Sequence, residues 1–369
     1  MSLFIAPDFS ECQSLLHSPT TADVEAVLQR AKLDLNDLAT LLSPAASEML
    51  PAMARRSAAI TAQRFGHTIQ MYAPVYVSSF CANKCVYCGF SAENKIERRV
   101  LTLDEAEVEM NILADRGFSH VLLVSGEAPA KVGVDYLAEL ARRTRDRFAA
   151  LTIEVQPLST EEYRTLFEAG ITGVAVYQET YDRAVYDQVH LAGKKADYDY
   201  RLETPARVAE AGMREVGIGA LMGLSDWRSE GLVLGMHLAW LRKHYWRTNV
   251  SVSFPRMRPA EGAYEPPQPA GERELSQLLF ALRIFDWDVG LVLSTREEER
   301  YRNGMIGLGP TRYSAGSCTA PGGYAHPDLA WVQFSVGDNR DLQEVCASIR
   351  LKNHDPICKD WDATFQKGF

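Results

Sequence analysis

Short apolar runs and amphipathic segments alternate along most of the chain. Apolar residues that recur every three to four positions predict helices, whereas short continuous apolar runs bounded by turn residues predict buried strands. A glycine commonly separates a helical segment from the next apolar run, as Gly117 and Gly170 do. Strands are predicted at the apolar runs 73–77, 121–124, 151–155, 174–176, 216–221, 250–254 and 291–293.

Polar residues mark where several of the intervening helices begin. The segments 102–105 and 159–162 have the spacing of a capping box, and Thr204 before Pro205 predicts a capped helix with proline at its first position. Strands that alternate with helices indicate a parallel sheet with right-handed crossovers. Seven or eight such units predict an α/β fold, a (β/α) barrel of the TIM type, closed or partly open. A doubly wound open sheet is the alternative, although no GxGxxG follows the first strand.

The chain divides into three predicted regions around this barrel. Residues 1–70 contain helical segments, including those beginning at Thr21 and Leu35, and predict an N-terminal helical lead-in. The barrel is predicted over residues 71–320. Residues 321–369 are predicted to form a helical C-terminal extension that packs on the barrel.

The composition is that of an ordinary globular protein and narrows the choice of partners. Hydrophobic residues make up 46% and charged residues 24% of the 369 residues, which allows a sizeable core. The formal net charge of -9 disfavours nucleic acid and anionic membranes as partners, because both bind basic surfaces. We find no apolar run of about eighteen residues and no signal-peptide pattern. Seven cysteines, three of them clustered, indicate metal ligation in the reducing cytoplasm rather than disulfides.

Cys81, Cys85 and Cys88 form the densest group of metal ligands in the sequence. They follow the first predicted strand in a CxxxCxxC pattern, which fits a loop around one corner of an iron–sulfur cube. Such clusters usually take four thiolates, so a 4Fe–4S cluster here would leave one iron open to a small molecule. Structural zinc needs four closed ligands, and no second CxxC pair or adjacent histidine completes such a set. Zinc, three reduced surface thiols and a non-enzymatic metal-binding scaffold are the alternatives.

Polar residues also follow the other predicted strands. In a (β/α) barrel the carboxyl ends of the strands meet at one end, where active sites lie. Arginine binds carboxylates bidentately, and acids or serine accept hydrogen bonds from an ammonium, so this combination suits a zwitterionic ligand. The strand-end segments are 125–127, 156–157, 178–180, 222–223, 255–258 and 294–297.

The cysteine spacing followed by Tyr87-Cys88-Gly89 resembles the radical S-adenosylmethionine (SAM) superfamily. That resemblance implies a 4Fe–4S cluster on the three cysteines and SAM bound at the open iron. Further motifs resemble the aromatic-amino-acid lyases of this superfamily, and most closely the tyrosine lyases of thiamine biosynthesis. These motifs lie at 81–90, 155–158, 176–181, 201–205, 293–297, 314–317, 321–324, 333–335 and 359–362.

The resemblance also implies roles for residues at the strand ends. The expected SAM contacts are Tyr87, Ser125, Gly126, Glu127, Gln156, Glu179, Arg201 and Met222. The expected catalytic set, which would hold the carboxylate and amine of the substrate, is Arg296, Ser314 and Ser317. The plainer alternatives are an ordinary turn at 125–127, a helix-capping role for Glu179, an exposed position for Arg201, a barrel bend at 217–223 and a salt bridge from Arg296 to Glu297 or to a neighbour.

By the same resemblance, the enzyme cleaves the Cα–Cβ bond of L-tyrosine after hydrogen abstraction from the substrate amino group. The products are dehydroglycine (2-iminoacetate), used for the thiazole moiety of thiamine, and p-cresol. The implied partners are thiazole synthase and an electron donor of the flavodoxin or ferredoxin type. Cleavage of tryptophan, or of tyrosine to carbon monoxide and cyanide, is the alternative within the superfamily. Cys318, Cys346 and Cys358 are widely spaced, so we predict packing roles for them rather than a second cluster.

Overall fold

Eight parallel strands close into a barrel in the computed structural model, which describes residues 3–262, 264–329 and 331–358. The strands of the ring are β1 (Thr68–Ser78), β2 (His120–Ser125), β3 (Ala150–Glu154), β4 (Gly173–Ala175), β5 (Glu215–Gly219), β6 (Asn249–Ser253), β7 (Gly290–Leu293) and β8 (Arg312–Ser314). Consecutive strands pair from β2 to β8, and β1 pairs with both β8 and β2, which completes the ring. The predicted TIM-type barrel is therefore confirmed, and the open sheet is excluded.

A ninth strand, β9 (Asp355–Ile357), extends the sheet outside the ring. It pairs in parallel with the first three residues of β1, whereas the pairing of β1 with β2 begins only at Ala73. With 11 residues, β1 is long enough to pair on the same edge with β9 at its start and with β2 further along. The predicted C-terminal extension therefore contains a strand as well as a helix in its described part. The motif at 359–362 lies outside the described residues.

Helices connect the strands and form the outer layer of the barrel. In chain order they are α1 (Phe9–His17), α2 (Thr21–Leu28), α3 (Leu35–Leu42), α4 (Pro44–Ser47), α5 (Leu50–Phe65), α6 (Leu103–Asp115), α7 (Val134–Thr144), α8 (Thr160–Ala169), α9 (Arg183–Val189), α10 (Tyr198–Leu202), α11 (Thr204–Glu210), α12 (Trp227–His244), α13 (Glu272–Phe285), α14 (Glu299–Met305) and α15 (Leu342–Leu351). Both predicted capping boxes are formed, at the starts of α6 and α8.

The helix start at Thr204 differs from its prediction. The N-cap of α11 is Glu203, and only this residue separates α11 from α10. Thr204 Oγ1 donates a hydrogen bond to the carbonyl oxygen of Tyr200 at 2.9 Å instead of capping a backbone N–H. The threonine thus lies inside a nearly continuous helical path, where its hydroxyl has a backbone acceptor one turn earlier.

The N-terminal helices pack on the outside of the barrel. Helix α5 lies along α13, and α3 lies against both α12 and α13. Glycines on α12 allow this close packing: a Cβ at Gly231 would lie 2.3 Å from Leu278 Cδ2, and one at Gly235 would lie 2.2 Å from Leu38 Cδ2. The lead-in and the barrel therefore share one hydrophobic core. The region boundaries at residues 70 and 320 stay predictions.

The amino ends of the strands enclose a buried ion pair inside the barrel. Glu215 at the start of β5 accepts a hydrogen bond from Arg312 Nη2 of β8 at 2.8 Å. Burial alone would raise the pKa of Glu215, but the guanidinium holds it at about 2. At the other end, the carboxyl ends of the strands and their loops surround a cavity. Among the described residues, no helix combines the length and hydropathy needed to cross a membrane.

Candidate active site

The three clustered cysteines lie on the loop between β1 and α6, at the carboxyl end of the barrel. A backbone hydrogen bond of 3.0 Å from Lys84 N to Ala192 O attaches this loop to the segment after α9. Cys85 is buried, and Cys81 and Cys88 are half-buried. All three line one cavity that extends into the barrel. The fold therefore brings the predicted cluster ligands to the place where barrel active sites lie.

These thiols fit a bound metal cluster. Burial raises the pKa of Cys81 above its ordinary value and that of Cys85 to about 12, so a cation is needed to stabilise their thiolates. In the described part of the chain, no three His, Cys, Asp or Glu side chains converge as the ligands of a single metal ion do. Because thiolates on a 4Fe–4S cube bind separate irons, thiols spread around a cavity suit a cluster better than tetrahedral zinc.

A buried group of four charges lies beside the cysteine loop, and we call it the charge cluster: Glu127, Glu179, Lys195 and Arg201. Arg201 Nη1 lies 2.8 Å from Glu127 Oε1, and Lys195 Nζ lies 2.7 Å from Glu179 Oε1. Burial alone would lower the pKa of both cations, but the carboxylates raise it above the ordinary value. All four side chains line the cavity. Two positive and two negative charges at one wall match the ammonium and carboxylate of an amino-acid group.

Glu179 has a backbone conformation that few non-glycine residues adopt. Its φ angle is 72°, in the left-handed region. The next two residues are held in place by Glu230 of α12, whose carboxylate accepts hydrogen bonds from Thr180 Oγ1 and, at 2.9 Å, from Tyr181 N. Strained backbone that neighbouring contacts enforce is common at functional sites. Here it directs the Glu179 carboxylate into the cavity.

Two serine hydroxyls at the cavity lack a partner. Ser125 Oγ and Ser317 Oγ are both buried, and neither has a hydrogen-bond partner among the described residues. A buried polar atom without a partner costs free energy, so these hydroxyls fit a ligand that supplies the missing hydrogen bonds. Gly126 next to Ser125 is required for packing, because a Cβ there would lie 2.3 Å from the carbonyl oxygen of Phe80.

Arg296 extends into the cavity from the loop after β7. Its guanidinium carbon lies 3.5 Å from the ring centroid of Phe334, in a stacked cation–π contact. Glu297 forms its salt bridge with Arg256, so the alternative of a salt bridge between residues 296 and 297 is wrong. Within the described residues Arg296 has no carboxylate partner. Its guanidinium is therefore available to an anionic ligand group.

Most of the predicted site residues line this single cavity, but Gln156 and Met222 do not. Gln156 Nε2 donates to the carbonyl oxygen of Val132 at 2.9 Å, and Met222 packs in the hydrophobic core. Leu221 lines the wall in place of Met222. The structure thus corrects the placement of these two, while the roles of the others stay predictions. Those brought together are Tyr87, Cys81, Cys85, Cys88, Ser125, Gly126, Glu127, Glu179, Arg201, Arg296, Ser314 and Ser317.

Three charged residues of the cavity wall were not predicted: Glu154, Lys195 and Arg258. Glu154 could have been found, because it is two residues after Thr152 in a strand and therefore faces the same side. Lys195 lies in a short turn between α9 and α10, where no periodic pattern assigns its direction. Arg258 was included only in a strand-end segment, and its Nε is buried without a partner in the described residues.

The three cysteines near the end of the chain lie away from the cluster loop. Cys346 is buried in the hydrophobic core, and Cys358 packs against the same core. Cys318 is half-buried, and its backbone N donates to the hydroxyl of Tyr324 at 3.2 Å. None of these three lines the cavity that the clustered cysteines share. The predicted packing roles agree with these positions.

The chain matches two families of known proteins. The radical SAM superfamily covers residues 75–230, and the biotin and thiamin synthesis associated domain covers residues 253–355. The chain is 45% identical over 361 residues to the 2-iminoacetate synthase of Escherichia coli strain K12, covering 96% of this chain and 95% of that protein. It is 46% identical to the enzyme of the same name from Salmonella typhimurium strain LT2, with the same coverage.

Solved structures share the architecture. The crystal structure of HydG, a maturase of the [FeFe]-hydrogenase, superposes with a TM-score of 0.89 at 28% identity, covering 98% of this chain and 80% of that one. Methylornithine synthase (PylB) shows the same fold, with a TM-score of 0.73 at 21% identity over 93% of this chain and 99% of that one. Since two relatives exceed 40% identity along nearly their whole length, the chain belongs to the radical SAM superfamily and, within it, to the 2-iminoacetate synthase family.

Proposed function

We propose that this enzyme cleaves the Cα–Cβ bond of L-tyrosine to dehydroglycine and p-cresol, and that dehydroglycine supplies part of the thiazole moiety of thiamine. The observation that carries this proposal is one cavity in which three cysteines, the charge cluster and Arg296 face one another. Membership of the 2-iminoacetate synthase family supports the same reaction. Together they favour a radical lyase over a metal-binding scaffold.

A 4Fe–4S cluster and SAM are the cofactors of this family. When bound, they supply a 5′-deoxyadenosyl radical that abstracts hydrogen from the substrate. Cys81, Cys85 and Cys88 would hold the cluster, and the charge cluster beside them would hold the amino-acid end of SAM. In that role Arg201 would bind the carboxylate, because a guanidinium matches its two oxygens. Glu127 would accept hydrogen bonds from the ammonium.

The substrate end of the cavity is built around Arg296. Stacking on Phe334 fixes the plane of the guanidinium, which prepares it for bidentate binding of the tyrosine carboxylate. Ser317 Oγ, which has no partner in the described residues, is available to the substrate carboxylate or amine. Ser314 lies beside them, and its Oγ accepts a hydrogen bond from Thr295 N at 2.9 Å. These contacts would hold the substrate amino group at a fixed position.

The barrel wall favours a reaction that must exclude water. Tyr72, Tyr76 and Tyr177 line the cavity with their rings, and Leu122 and Val124 add apolar surface. An enclosed apolar wall limits side reactions of a radical with solvent. Fragmentation is also easiest when the leaving group is delocalised over a phenol, which agrees with tyrosine as the substrate.

Two protein partners belong to the proposal. Dehydroglycine hydrolyses readily in water, so we infer direct transfer to thiazole synthase. The reducing electron would come from a donor of the flavodoxin or ferredoxin type. Cysteines without disulfides and an oxygen-sensitive cluster agree with a cytoplasmic location.

The test is anaerobic reconstitution with iron and sulfide, followed by turnover with SAM, dithionite and L-tyrosine. We expect a brown protein that forms 5′-deoxyadenosine, p-cresol and glyoxylate, the hydrolysis product of dehydroglycine. Cyanide from tyrosine, or methylindolic acid from tryptophan, would assign the reaction to one of the alternative lyases. A colourless zinc protein that leaves SAM intact would contradict the proposal and support a scaffold.

A further inference from the structure

The cavity contains a carboxyl group with no role in the contacts described so far, that of Glu154. It ends β3 and faces the barrel interior, as Thr152 does on the same strand. Within the described residues, no hydrogen bond or salt bridge satisfies its side chain. The side chain is half-buried. A half-buried carboxylate that faces a ligand cavity without a protein partner is open to a ligand that donates to it.

The tyrosine hydroxyls of the cavity wall do not supply the missing partner of the Glu154 carboxylate. Tyr76 Oη donates to Gln333 Oε1 at 2.8 Å. The hydroxyls of Tyr72 and Tyr177 lie near serine side chains, those of Ser314 and Ser253 respectively. Among the described residues, no hydrogen bond joins Glu154 to any of these three tyrosines.

The strand order places Glu154 across the cavity from the predicted carboxylate anchor. Glu154 ends β3, Arg296 follows β7, and four steps around an eight-stranded ring separate these strands. The interior of an eight-stranded barrel is only wide enough for side chains or one small ligand. In tyrosine the amino group shares a carbon with the carboxylate, whereas the phenol hydroxyl lies at the far end. A substrate anchored at Arg296 would therefore direct its hydroxyl toward the wall that carries Glu154.

We propose that Glu154 accepts the proton of the substrate phenol hydroxyl, and that this contact selects tyrosine over phenylalanine, a role that rests on the proposed function. The O–H bond of the phenol breaks, a carboxyl O–H bond forms, and the electron pair stays on the phenol oxygen. The proton returns to that oxygen when p-cresol forms. Because Glu154 would touch the substrate, it is a catalytic residue in this scheme.

The electrostatic surroundings agree with a proton acceptor near neutral pH. Burial, with the Glu179 carboxylate adding to it, raises the pKa of Glu154 to about 7, although three cations oppose the shift. A general base works best when its pKa lies near the working pH. The charged and titratable groups that act on Glu154 or are acted on by it are Glu179, Arg296, Lys195, Arg201, Tyr72, Tyr76 and Tyr177.

The first test compares the reconstituted holoenzyme with E154Q across pH. In the wild type we expect p-cresol formation to rise with pH through about 7, because the carboxyl must be ionised to accept a proton. In E154Q we expect about a 100-fold lower rate with tyrosine and no such rise. The phenol of 3,5-difluorotyrosine is more acidic than that of tyrosine. With this substrate, the loss of rate from wild type to E154Q should be at least about tenfold smaller than with tyrosine. A loss of equal size for both substrates would overturn the proposal and indicate a role at the amine or in structure.

A binding measurement tests the same contact without turnover. In cluster-loaded enzyme with SAM and no reductant, we expect tyrosine to bind at least about tenfold more tightly than phenylalanine. E154L removes a half-buried charge without a partner in the described residues, so it should fold, and it should abolish this preference. E168Q, at an exposed residue of α8, should keep both the preference and the pH profile.

The two proposals fail in different ways. If the wild type makes no p-cresol from tyrosine, the proposed function fails. If the wild type makes p-cresol while E154Q keeps its rate and pH profile, only the role of Glu154 fails. Equal affinity of tyrosine and phenylalanine for the wild type would also overturn that role.

Discussion

At the scale of single residues, the charge cluster consists of charges that are paired with one another before any ligand binds. Glu179 has Lys195 as its close partner, and its distance to Arg201 Nη2 is 4.0 Å. Pre-formed pairs keep buried charges from being isolated, and they need only small shifts to accept a zwitterion. Lys195, in the turn between two short helices, therefore supplies the counter-charge of Glu179.

Removal of the Lys195 charge tests this arrangement. In Lys195→Gln we expect the affinity for SAM to fall about tenfold, because Glu179 would remain buried with a weaker partner. Equilibrium binding of SAM to the cluster-loaded protein measures the change. Lys194→Gln, at the exposed neighbouring residue, is the matched control and should bind SAM as the wild type does. An unchanged SAM affinity in the Lys195 variant would show that this pair is only structural.

Arg296 should separate the two halves of the reaction. In Arg296→Ala we expect p-cresol formation to fall by about 100-fold or more, because a buried carboxylate contact is lost. Uncoupled formation of 5′-deoxyadenosine should persist within a few-fold of the wild type. Chromatographic measurement of both products decides this, with Arg300→Ala on the exposed face of α14 as control. Loss of both products would instead assign Arg296 to SAM binding.

The sequence was informative where a motif fixes both the residue and its direction. The cysteines were predicted from their spacing after the first strand, and Glu127 and Arg201 from motifs that resemble the radical SAM superfamily. Gln156 was misplaced because a residue after a strand end can turn outward, as its hydrogen bond to Val132 O shows. Lys195 could not be predicted, because its direction depends on tertiary contacts with Glu179.

At the scale of elements, strand β5 brings backbone very close to the cavity wall. A Cβ at Gly219 would lie 2.4 Å from the carbonyl oxygen of Ser253 and 2.7 Å from Cδ1 of Tyr177. Tyr177 in turn lines the cavity. Glycine in this strand therefore sets the position of an aromatic wall residue, and a side chain there has no free space. This gives a packing reason for Gly219, which lies in the segment 217–223 where a barrel bend was the plainer alternative.

Substitution of this glycine should destabilise the barrel. In Gly219→Ala we expect a loss of about 1–3 kcal/mol in the free energy of unfolding, because the added methyl group meets backbone rather than a flexible side chain. Urea denaturation of the cluster-free protein measures it. Gly304→Ala within α14 is the control, since its Cβ would meet nothing within 4 Å. That control should be neutral or slightly stabilising, and equal losses in the two variants would contradict the packing explanation.

Elements with a strong local pattern were predictable, and elements that depend on partners were not. Helices α6 and α8 could be placed from their capping boxes, because those bonds lie within four residues. Strand β9 has three residues and acquires its strand conformation only by pairing with β1, so no local signal identifies it. The capping role predicted for Thr204 was wrong, because helix α10 ends only one residue earlier and Glu203 takes the N-cap position.

At the scale of the whole molecule, closure of the ring depends on polar as well as apolar interior contacts. Glu215 and Arg312 come from β5 and β8, so their ion pair links strands three steps apart in the ring. The low pKa of Glu215 means that its ionised form is more stable in the folded protein than in the unfolded chain. The pair therefore contributes stability that is present above the ordinary glutamate pKa of about 4.3 and is lost as pH falls toward about 2.

The acid dependence of unfolding tests this contribution. At pH 7 we expect Glu215→Gln to lower the free energy of unfolding by about 3 kcal/mol, because Arg312 would lose its buried carboxylate. The difference from the wild type should shrink as pH decreases below about 4.3. Urea titrations at pH 7, 5 and 3.5 measure it, with exposed Glu265→Gln as control. A difference that does not change with pH would show that the carboxylate charge is not the source.

The pairing of β9 with the start of β1 has a consequence for biosynthesis. During translation the first barrel strand leaves the ribosome long before its last neighbour is made, so part of its edge stays open for most of that time. An open strand edge can pair with other nascent chains. We therefore expect ribosome-bound intermediates of this protein to need a chaperone until residues 355–357 emerge.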